Sequence, residues 1–298
     1  MKSSKSVPKE QVTVVLPTLN EERAIGRVID ELLQEGYNNI LVVDGYSTDK
    51  TVEIARSKGV KVIFQIGRGK SGAVRTAIDF SQTPYILFMD ADHTYDPKDI
   101  ERLLEYPDCD EVIGMRVDRK NIPILHRIGN KAISSMLSLL MGRRISDPCS
   151  GMYLLKTDVA RKIPLLSEGF DVEVEIVSFM LNYGRVIEVP ISYRKREGTK
   201  KLRSFRDGAR ILLTIVKLAW LYNYVFLLSA LGLLLTISGL LMIFWQLFTR
   251  YVYGAEKWSL GWSLFGLILL IVGLQGFTVA TIILMLKRLE RRILSSLH

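Results

Sequence analysis

The chain is poor in cysteine. Only Cys109 and Cys149 occur in 298 residues. They are far apart and show no metal-ligand spacing, so neither a disulfide scaffold nor a cysteine zinc site is expected. There is no internal repeat and no low-complexity segment. The polar, basic start carries no apolar stretch of the kind a signal peptide needs. We therefore expect the N-terminal part to stay in the cytoplasm, with both thiols reduced. Two nucleotide signatures are also missing. No Gly-x-Gly-x-x-Gly follows the first strand-like run, which excludes a dinucleotide fingerprint. Gly69-Lys70-Ser71 has the look of the end of a P-loop, but the first glycine that motif requires would stand at position 64, where there is Phe64.

Charge is missing from two long stretches. Residues 225–248 and 260–286 contain no charged side chain. Each exceeds the roughly 20 residues needed to cross a bilayer as a helix. A pair of buried core helices is the alternative, and their length favours spans. Tyr224, Trp245, Tyr251, Tyr253, Trp258 and Trp262 fall near the ends, as interfacial aromatics do. The tail after the second run carries Lys287, Arg288, Arg291 and Arg292 against Glu290; the connecting loop has Arg250 and Lys257 against Glu256. By the positive-inside rule the tail is expected in the cytoplasm, as a two-span hairpin requires. The expected organisation is a cytoplasmic domain over 1–204, a membrane-surface helix over 205–222 and a hairpin over 223–298. The formal net charge of +9 fits an anionic membrane surface better than nucleic acid in a chain with two spans.

The first two hundred residues alternate strand-like and helix-like runs. Val12–Leu16 reads as strand one. Pro17-Thr18-Leu19-Asn20-Glu21-Glu22 follows, with Asn20 as the expected cap of a helix running to about Glu35 and Gly36 as its stop. Asn39–Val43 reads as strand two, and Ser47 or Thr48 as the cap of helix 49–58. Val60–Gln65 reads as strand three, and Gly67–Gly72 leads into a helix over 71–81. Those glycines permit close backbone approach to a phosphate or base and Lys70 adds charge; a flexible helix lead-in is the plainer reading. Further on, Glu111–Met115 reads as a strand ending in Arg116, residues 124–141 as a helix with Arg127 and Lys131 one turn apart, Met152–Leu155 as a strand, and Arg185–Pro190 as the last strand. Asp171, Glu173 and Glu175 alternate before an apolar helix. This succession predicts an α/β fold with a doubly wound, mostly parallel sheet.

Tyr85-Ile86-Leu87-Phe88-Met89 is a buried-strand pattern that ends in Asp90-Ala91-Asp92. Residues i and i+2 of a strand point the same way, so the two carboxylates are expected together at its carboxyl end, where open α/β sheets bind ligands. Their mutual repulsion is relieved by a hard cation such as Mg²⁺ or Mn²⁺, which usually also holds a diphosphate. A solvated loop after a strand is the bland alternative. From Ser192 to Arg210 the chain is dense in Lys and Arg, and it runs into Ile211–Trp220. That order fits either a solvated linker or a basic membrane-surface helix.

Five motifs occur in order: Pro17–Glu22, Val43–Thr51, Asp90–Asp92, Ser146-Asp147-Pro148-Cys149-Ser150-Gly151 and Gly198-Thr199-Lys200-Lys201-Leu202. With membrane spans behind them, the chain resembles family 2 glycosyltransferases of the GT-A fold. Within that family it is similar to the polyprenyl-phosphate hexose synthases, such as dolichyl-phosphate mannose and glucose synthases. The resemblance runs from about Val12 to Arg210. It implies a nucleotide-sugar site of Pro17, Thr18, Asn20, Glu21, Asp44, Lys70, Asp90, Ala91, Asp92, Arg194 and Lys201. It implies a metal (Mg²⁺ or Mn²⁺) on Asp90 and Asp92, and an acceptor-phosphate site of Arg116, Arg127 and Lys131. Asp92, Arg116 and Arg127 would be the catalytic set. The pattern departs at Leu19, where an aromatic is common, at Gly45, where a second acid is common, and at Thr94, where mannose synthases carry a Gln ligand. The third ligand is then Thr94, His93 or water.

The reaction so implied moves mannose or glucose from GDP-mannose or UDP-glucose to a polyprenyl (dolichyl) phosphate, with inversion, at the cytoplasmic face of a multi-pass membrane protein. A phosphate monoester has a second pKa near 6 and is already nucleophilic at neutral pH, so no strong general base is required. Asp147 would orient donor or acceptor. Rival readings are a processive synthase, which would need a Gln-x-x-Arg-Trp motif that is absent here, a transferase for an aminosugar, and a non-catalytic membrane anchor.

Overall fold

A computed structural model of the chain describes residues 6–118, 121–166, 169, 171–196, 204–254 and 258–296. Its contacts divide it into two compact units, Met1–Leu218 and Ala219–His298.

In the first unit, β1 (Val12–Thr18), α1 (Ile25–Gln34), β2 (Ile40–Asp44), α2 (Thr51–Ser57), β3 (Lys61–Phe64), α3 (Gly69–Phe80) and β4 (Tyr85–Phe88) alternate strictly. Then come α4 (Ile100–Leu104), β5 (Glu111–Arg116), α5 (Ile124–Met141), β6 (Tyr153–Lys156), α6 (Thr157–Ala160), α7 (Val172–Tyr183) and β7 (Val186–Ile191). One seven-stranded sheet results, in the order β3-β2-β1-β4-β6-β5-β7. β6 is antiparallel to both its neighbours; every other pair is parallel. The expected doubly wound, mostly parallel α/β sheet is therefore present.

Side-chain alternation feeds two cores. Val12, Val14 and Leu16 of β1 join Ile25, Val28, Ile29 and Leu32 of α1 on one face. Val15 turns to the other face, among Val74, Ala77 and Ile78 of α3 and Val172, Ile176 and Met180 of α7. A sheet buried on both faces explains why its strands are nearly continuous apolar runs.

Registers bring the functional loops to one edge. Thr18 pairs with Asp44, so β1 and β2 end level. Phe88 pairs with Tyr153 across the antiparallel β4–β6 ladder, so β6 begins where β4 stops. Three local expectations are corrected. β4 ends at Phe88, and Asp90 and Asp92 lie in the loop beyond it rather than in the strand. Asn20 does not cap α1, whose first amides bond to the Glu21 carbonyl; Asn20 is left-handed at φ 52°. Ser47 and Thr48 do not cap α2, which begins at Thr51.

α8 (Ser204–Tyr253) carries one non-helical residue, Asn223, and α9 runs from Leu260 to Ser296. Ile211, Ile215 and Leu218 are buried, while Leu213 and Val216 are exposed. The apolar run ahead of the first span thus has an inward and an outward face. Within the second unit, Asn223–Tyr253 and Leu260–Ile283 are long and apolar enough to cross a membrane. In their most apolar stretches only 11% and 17% of residues are buried, which is unlike core helices of a soluble protein. Gly232 and Gly239 on one helix stand against Gly273 and Gly266 on the other: a β-carbon on Gly239 would lie 2.6 Å from the Gly266 carbonyl. Glycines at this spacing let the two backbones touch, as in membrane helix pairs.

Candidate active site

The loops after β1 and β2 are sewn together by short polar side chains. Asp44 is fully buried at the end of β2. Its Oδ1 accepts from Thr18 Oγ1 (3.1 Å) and Ser47 Oγ (2.6 Å), and its Oδ2 from the Ser47 amide (2.7 Å). Asn20 accepts from the Thr48 amide (2.7 Å), while its own amide donates to Ser47 Oγ (2.8 Å). The Glu21 amide donates to Thr51 Oγ1 (2.7 Å). Asn20 and Asp44 therefore shape this corner, and Pro17 ends the apolar part of β1 beside them. Next to it, Tyr46 stacks on Phe64 with ring centres 5.3 Å apart. Both rings are open to solvent, at 60% and 43% exposure.

The acidic pair is held by two cations of its own. Lys70 Nζ sits 2.6 Å from Asp90 Oδ1 and 2.5 Å from Glu173 Oε1. Lys70 belongs to the first turn of α3 and Glu173 to that of α7, so two helix starts converge on Asp90. Burial disfavours the Lys70 charge, but Asp90 and Glu173 outweigh it and hold the ammonium well above its ordinary pKa. Asp92 Oδ1 accepts from Thr94 Oγ1 (2.5 Å) and the Thr94 amide (3.1 Å). Its Oδ2 faces Arg196 Nη1 at 3.1 Å, and Arg196 Nη2 donates to Glu21 Oε1 at 3.1 Å. Burial first, then the charge of Asp90, push the Asp92 carboxyl above its ordinary pKa. Ala91 is buried between the two acids. Beneath them, the Gly151 amide donates to the Tyr95 hydroxyl (2.7 Å), and the Asp90 carboxylate fills the space where a side chain on Gly151 would stand.

Around this centre lies a second group. Arg116, at the end of β5, grips Asp147 with Nε to Oδ2 (2.8 Å) and Nη2 to Oδ1 (2.6 Å), and also reaches the Cys149 carbonyl (3.2 Å). The turn is fixed from the other side by Glu188 of β7, which accepts from the Asp147 amide (2.7 Å). The forked face that was expected to meet a phosphate is thus filled by a carboxylate, in the bidentate geometry arginine favours. Arg194 is similarly occupied: Nη1 with Glu31 (2.7 Å) and Nη2 with Asp96 (2.5 Å). His93 Nε2 pairs with Glu31 (2.8 Å), and Thr94 spends its hydroxyl on Asp92, so each side chain of the third-ligand question already has a partner. Arg127 and Lys131 project from α5; no hydrogen bond or ion pair among the described residues joins them to the acidic pair, and Arg127 Nε is buried without a partner there. Lys201 lies outside the described residues.

Three contributors were not singled out as site residues in the sequence. Arg196 was one of many basic residues in the 192–210 run. Glu173 was one of three alternating acids, and on a helix alternate residues diverge. Asp171 accordingly meets Thr214 (2.8 Å), Glu173 meets Lys70 and Glu175 accepts from the Leu166 amide (2.6 Å). Gly151 was only the end of a motif.

Among the described residues no group of three or more His, Cys, Asp and Glu side chains forms a metal cage. Asp90 and Asp92 are hard oxygen donors, each already facing a cation, Lys70 and Arg196. That donor set fits a hard divalent cation completed by diphosphate and water.

A mostly parallel sheet with paired acids at its carboxyl edge, next to a polar two-loop corner, defines a glycosyltransferase of the GT-A type. The chain belongs to glycosyl transferase family 2, whose profile matches residues 13–163, just over half its length. It is 34% identical over 240 residues to glycosyltransferase AglJ of Haloferax volcanii, covering 78% of this chain and 79% of that one. It is 35% identical over 215 residues to a dolichyl-phosphate hexose transferase of the same organism, covering 70% and 93%. With the dodecaprenyl-phosphate galacturonate synthase of Rhizobium johnstonii it shares 22% identity over 297 residues, covering 93% and 88%. Among solved structures it is similar in fold to glucosyl-3-phosphoglycerate synthase of Mycobacterium tuberculosis in complex with Mn²⁺, UDP and glucosyl-3-phosphoglycerate. There the TM-score is 0.58 at 20% identity, with 70% and 79% covered.

Proposed function

We propose that this protein transfers a hexose from a nucleotide-sugar to a polyprenyl phosphate at a membrane surface, with inversion at the sugar. The observation that carries the reading is the Asp90–Asp92 pair, ringed by Lys70 and Arg196, beside the Asp44 corner. The dolichyl-phosphate and dodecaprenyl-phosphate relatives supply the acceptor class.

In this reading Pro17, Thr18, Asn20, Glu21 and Asp44 form the nucleotide pocket. Asp90, Ala91 and Asp92 present the diphosphate side, and Lys70, Arg194 and Lys201 supply positive charge there. Asp90 and Asp92 would hold Mg²⁺ or Mn²⁺, which when bound supplies Lewis-acid stabilisation of the departing diphosphate. Thr94 orients Asp92 for that task through its 2.5 Å hydrogen bond. Arg127 and Lys131 are the cations left to draw in the acceptor phosphate, which is nucleophilic as a dianion. Arg116 holds Asp147 in place rather than meeting phosphate first. Bringing two anions together in line is the main task of such a site, and fixed positive charge performs it.

The catalytic domain runs to about residue 204 and the segment 205–222 lies on the membrane. Leu213 and Val216, exposed beside Lys217, support that placement. The two apolar helices anchor the chain, with the catalytic domain and the basic tail on the cytoplasmic side.

The test is a transfer assay on the full chain in detergent. Dolichyl phosphate is offered with labelled GDP-mannose, UDP-glucose or UDP-galacturonate, in Mn²⁺ or Mg²⁺, beside an Asp92→Asn control. A labelled lipid from one donor, lost with EDTA and in the control, supports the reading and names the sugar. No lipid product from any donor sinks it.

A further inference from the structure

The two cations on the acidic pair are held very differently. Lys70 is mostly buried between Asp90 and Glu173, with contacts of 2.6 and 2.5 Å. Arg196 is partly exposed and bridges Asp92 and Glu21 at 3.1 Å each, and its Nε is buried with no acceptor among the described residues. The backbone just before Arg196 is pinned: the Arg194 amide donates to the Thr94 carbonyl (2.7 Å), and the Ser192 amide to Asp99 Oδ2 (2.8 Å). Arg196 is therefore a long side chain reaching from a fixed point to Asp92.

What it covers matters. Thr94 takes Asp92 Oδ1 twice, so Oδ2 is the oxygen with capacity to spare for a cation, and Arg196 lies on it. We infer that Arg196 is a built-in counter-ion that competes with the divalent cation for Asp92. This inference rests on the proposed function. With Oδ1 taken by Thr94, a guanidinium and a divalent cation compete for the same oxygen, Asp92 Oδ2. Asp90 keeps its Lys70 in either state, because that ammonium is locked by a second acid.

The competition has a direction. A metal ion arriving alone must displace Arg196 from Asp92, leaving it Glu21 as its one acidic partner among the described residues. A metal ion arriving with a nucleoside diphosphate brings two or three negative charges, and the displaced guanidinium has a new anion beside it. Metal and nucleotide then bind cooperatively, and Arg196 is the coupling element. It stops the acidic pair from holding a bare cation and reserves the site for the metal–nucleotide complex. Arg196 is thus a positioning residue for loading.

The experiment is a Mn²⁺ titration of the full chain in detergent, followed by the free-ion EPR signal, with and without UDP or GDP. Wild type, Arg196→Gln, Arg196→Lys and Asp92→Asn are compared. Arg196→Gln is expected to bind Mn²⁺ alone about tenfold more tightly than wild type, an ordinary allosteric coupling. The added nucleotide should then tighten Mn²⁺ binding less than it does in wild type. Arg196→Lys keeps the charge without the two-pronged bridge; it should fall between the two, and carries the comparison by itself should the glutamine variant not fold. Equal or weaker Mn²⁺ binding in folded Arg196 variants overturns the inference and leaves the proposed function standing. No Asp92-dependent Mn²⁺ binding in wild type even with UDP or GDP present overturns both.

Discussion

The carboxylate of Asp90 occupies the space that a side chain on Gly151 would need. The glycine that ends the Ser146–Gly151 motif is thus a steric condition for where the first acid of the pair sits. Its own amide is held by the Tyr95 hydroxyl at 2.7 Å, so the backbone has little room to retreat. Gly151→Ala is expected to move Asp90 and leave the sheet intact. Transfer rate should fall by about a hundredfold, the cost of an ångström-scale misplacement in a reactive site. Circular dichroism and the kcat of the same preparation, measured side by side, check this; a rate within threefold of wild type would contradict it.

Lys70 is the hub of a three-charge group in which Glu173 is buried and Asp90 is partly exposed. Removing it strands Asp90 and Glu173 together; breaking a fully buried pair costs about 3–5 kcal/mol, and the solvent that reaches Asp90 lowers that figure here. Lys70→Met should therefore lower the thermal midpoint markedly. Lys70→Met combined with Glu173→Gln should recover part of that loss, because one stranded charge is gone. The pair of melting curves tests the coupling; additive losses would show that the two residues are independent.

Glu111 gives a pH signature. It is fully buried in β5, its Oε2 has no hydrogen-bond partner among the described residues, and burial, then the charge of Glu188, hold its carboxyl well above its ordinary pKa. With a folded pKa above the unfolded one, the folded state keeps the proton longer. The stability so gained is complete below the unfolded pKa and is lost as pH rises through the folded one. Glu111→Gln should therefore melt close to wild type at pH 4 and above it at pH 8, by about 2–8 °C. A variant that is less stable than wild type at pH 8 would refute the assignment.

Gly239 sets the spacing of the apolar hairpin. A β-carbon there would lie 2.6 Å from the Gly266 carbonyl and from the Leu270 amide nitrogen. Gly239→Leu must push the helices apart, whereas substitution of the exposed Leu240 meets no such obstacle. Disulfide trapping between engineered cysteines on the two helices should fall several-fold in Gly239→Leu and hold in Leu240→Ala.

Much of this was legible from residue patterns. Short continuous apolar runs and helical stripes located every major strand and helix of the first unit, because those strands are buried on both sheet faces. The acidic pair announced itself by type and spacing. Partners across the fold were not legible. Nothing local distinguishes Arg196 from Arg194, yet one reaches Asp92 and the other Glu31 and Asp96. Asn20 looked like a helix cap because caps and loop ties use the same short amides. It turned out to serve Thr48, 28 residues away. The direction of β6 was also hidden, since a four-residue strand looks the same from either end.

That direction has a consequence for how such a site can diversify. Carboxyl-edge loops in a parallel sheet all leave from strand ends, and each must lead into its own crossover helix. β6 runs the other way, so its leading segment, Gly142 to Met152, arrives at the edge as an inbound loop. It delivers Gly151 to Asp90 and Asp147 to Arg116, and it is tied back to α5 by Ser134, whose hydroxyl donates to the Ile145 carbonyl. Insertions there would reshape one bank of the cleft and leave the opposite bank, with its interlocked side chains, unchanged. One reversed strand makes the two halves of the catalytic edge separately tunable.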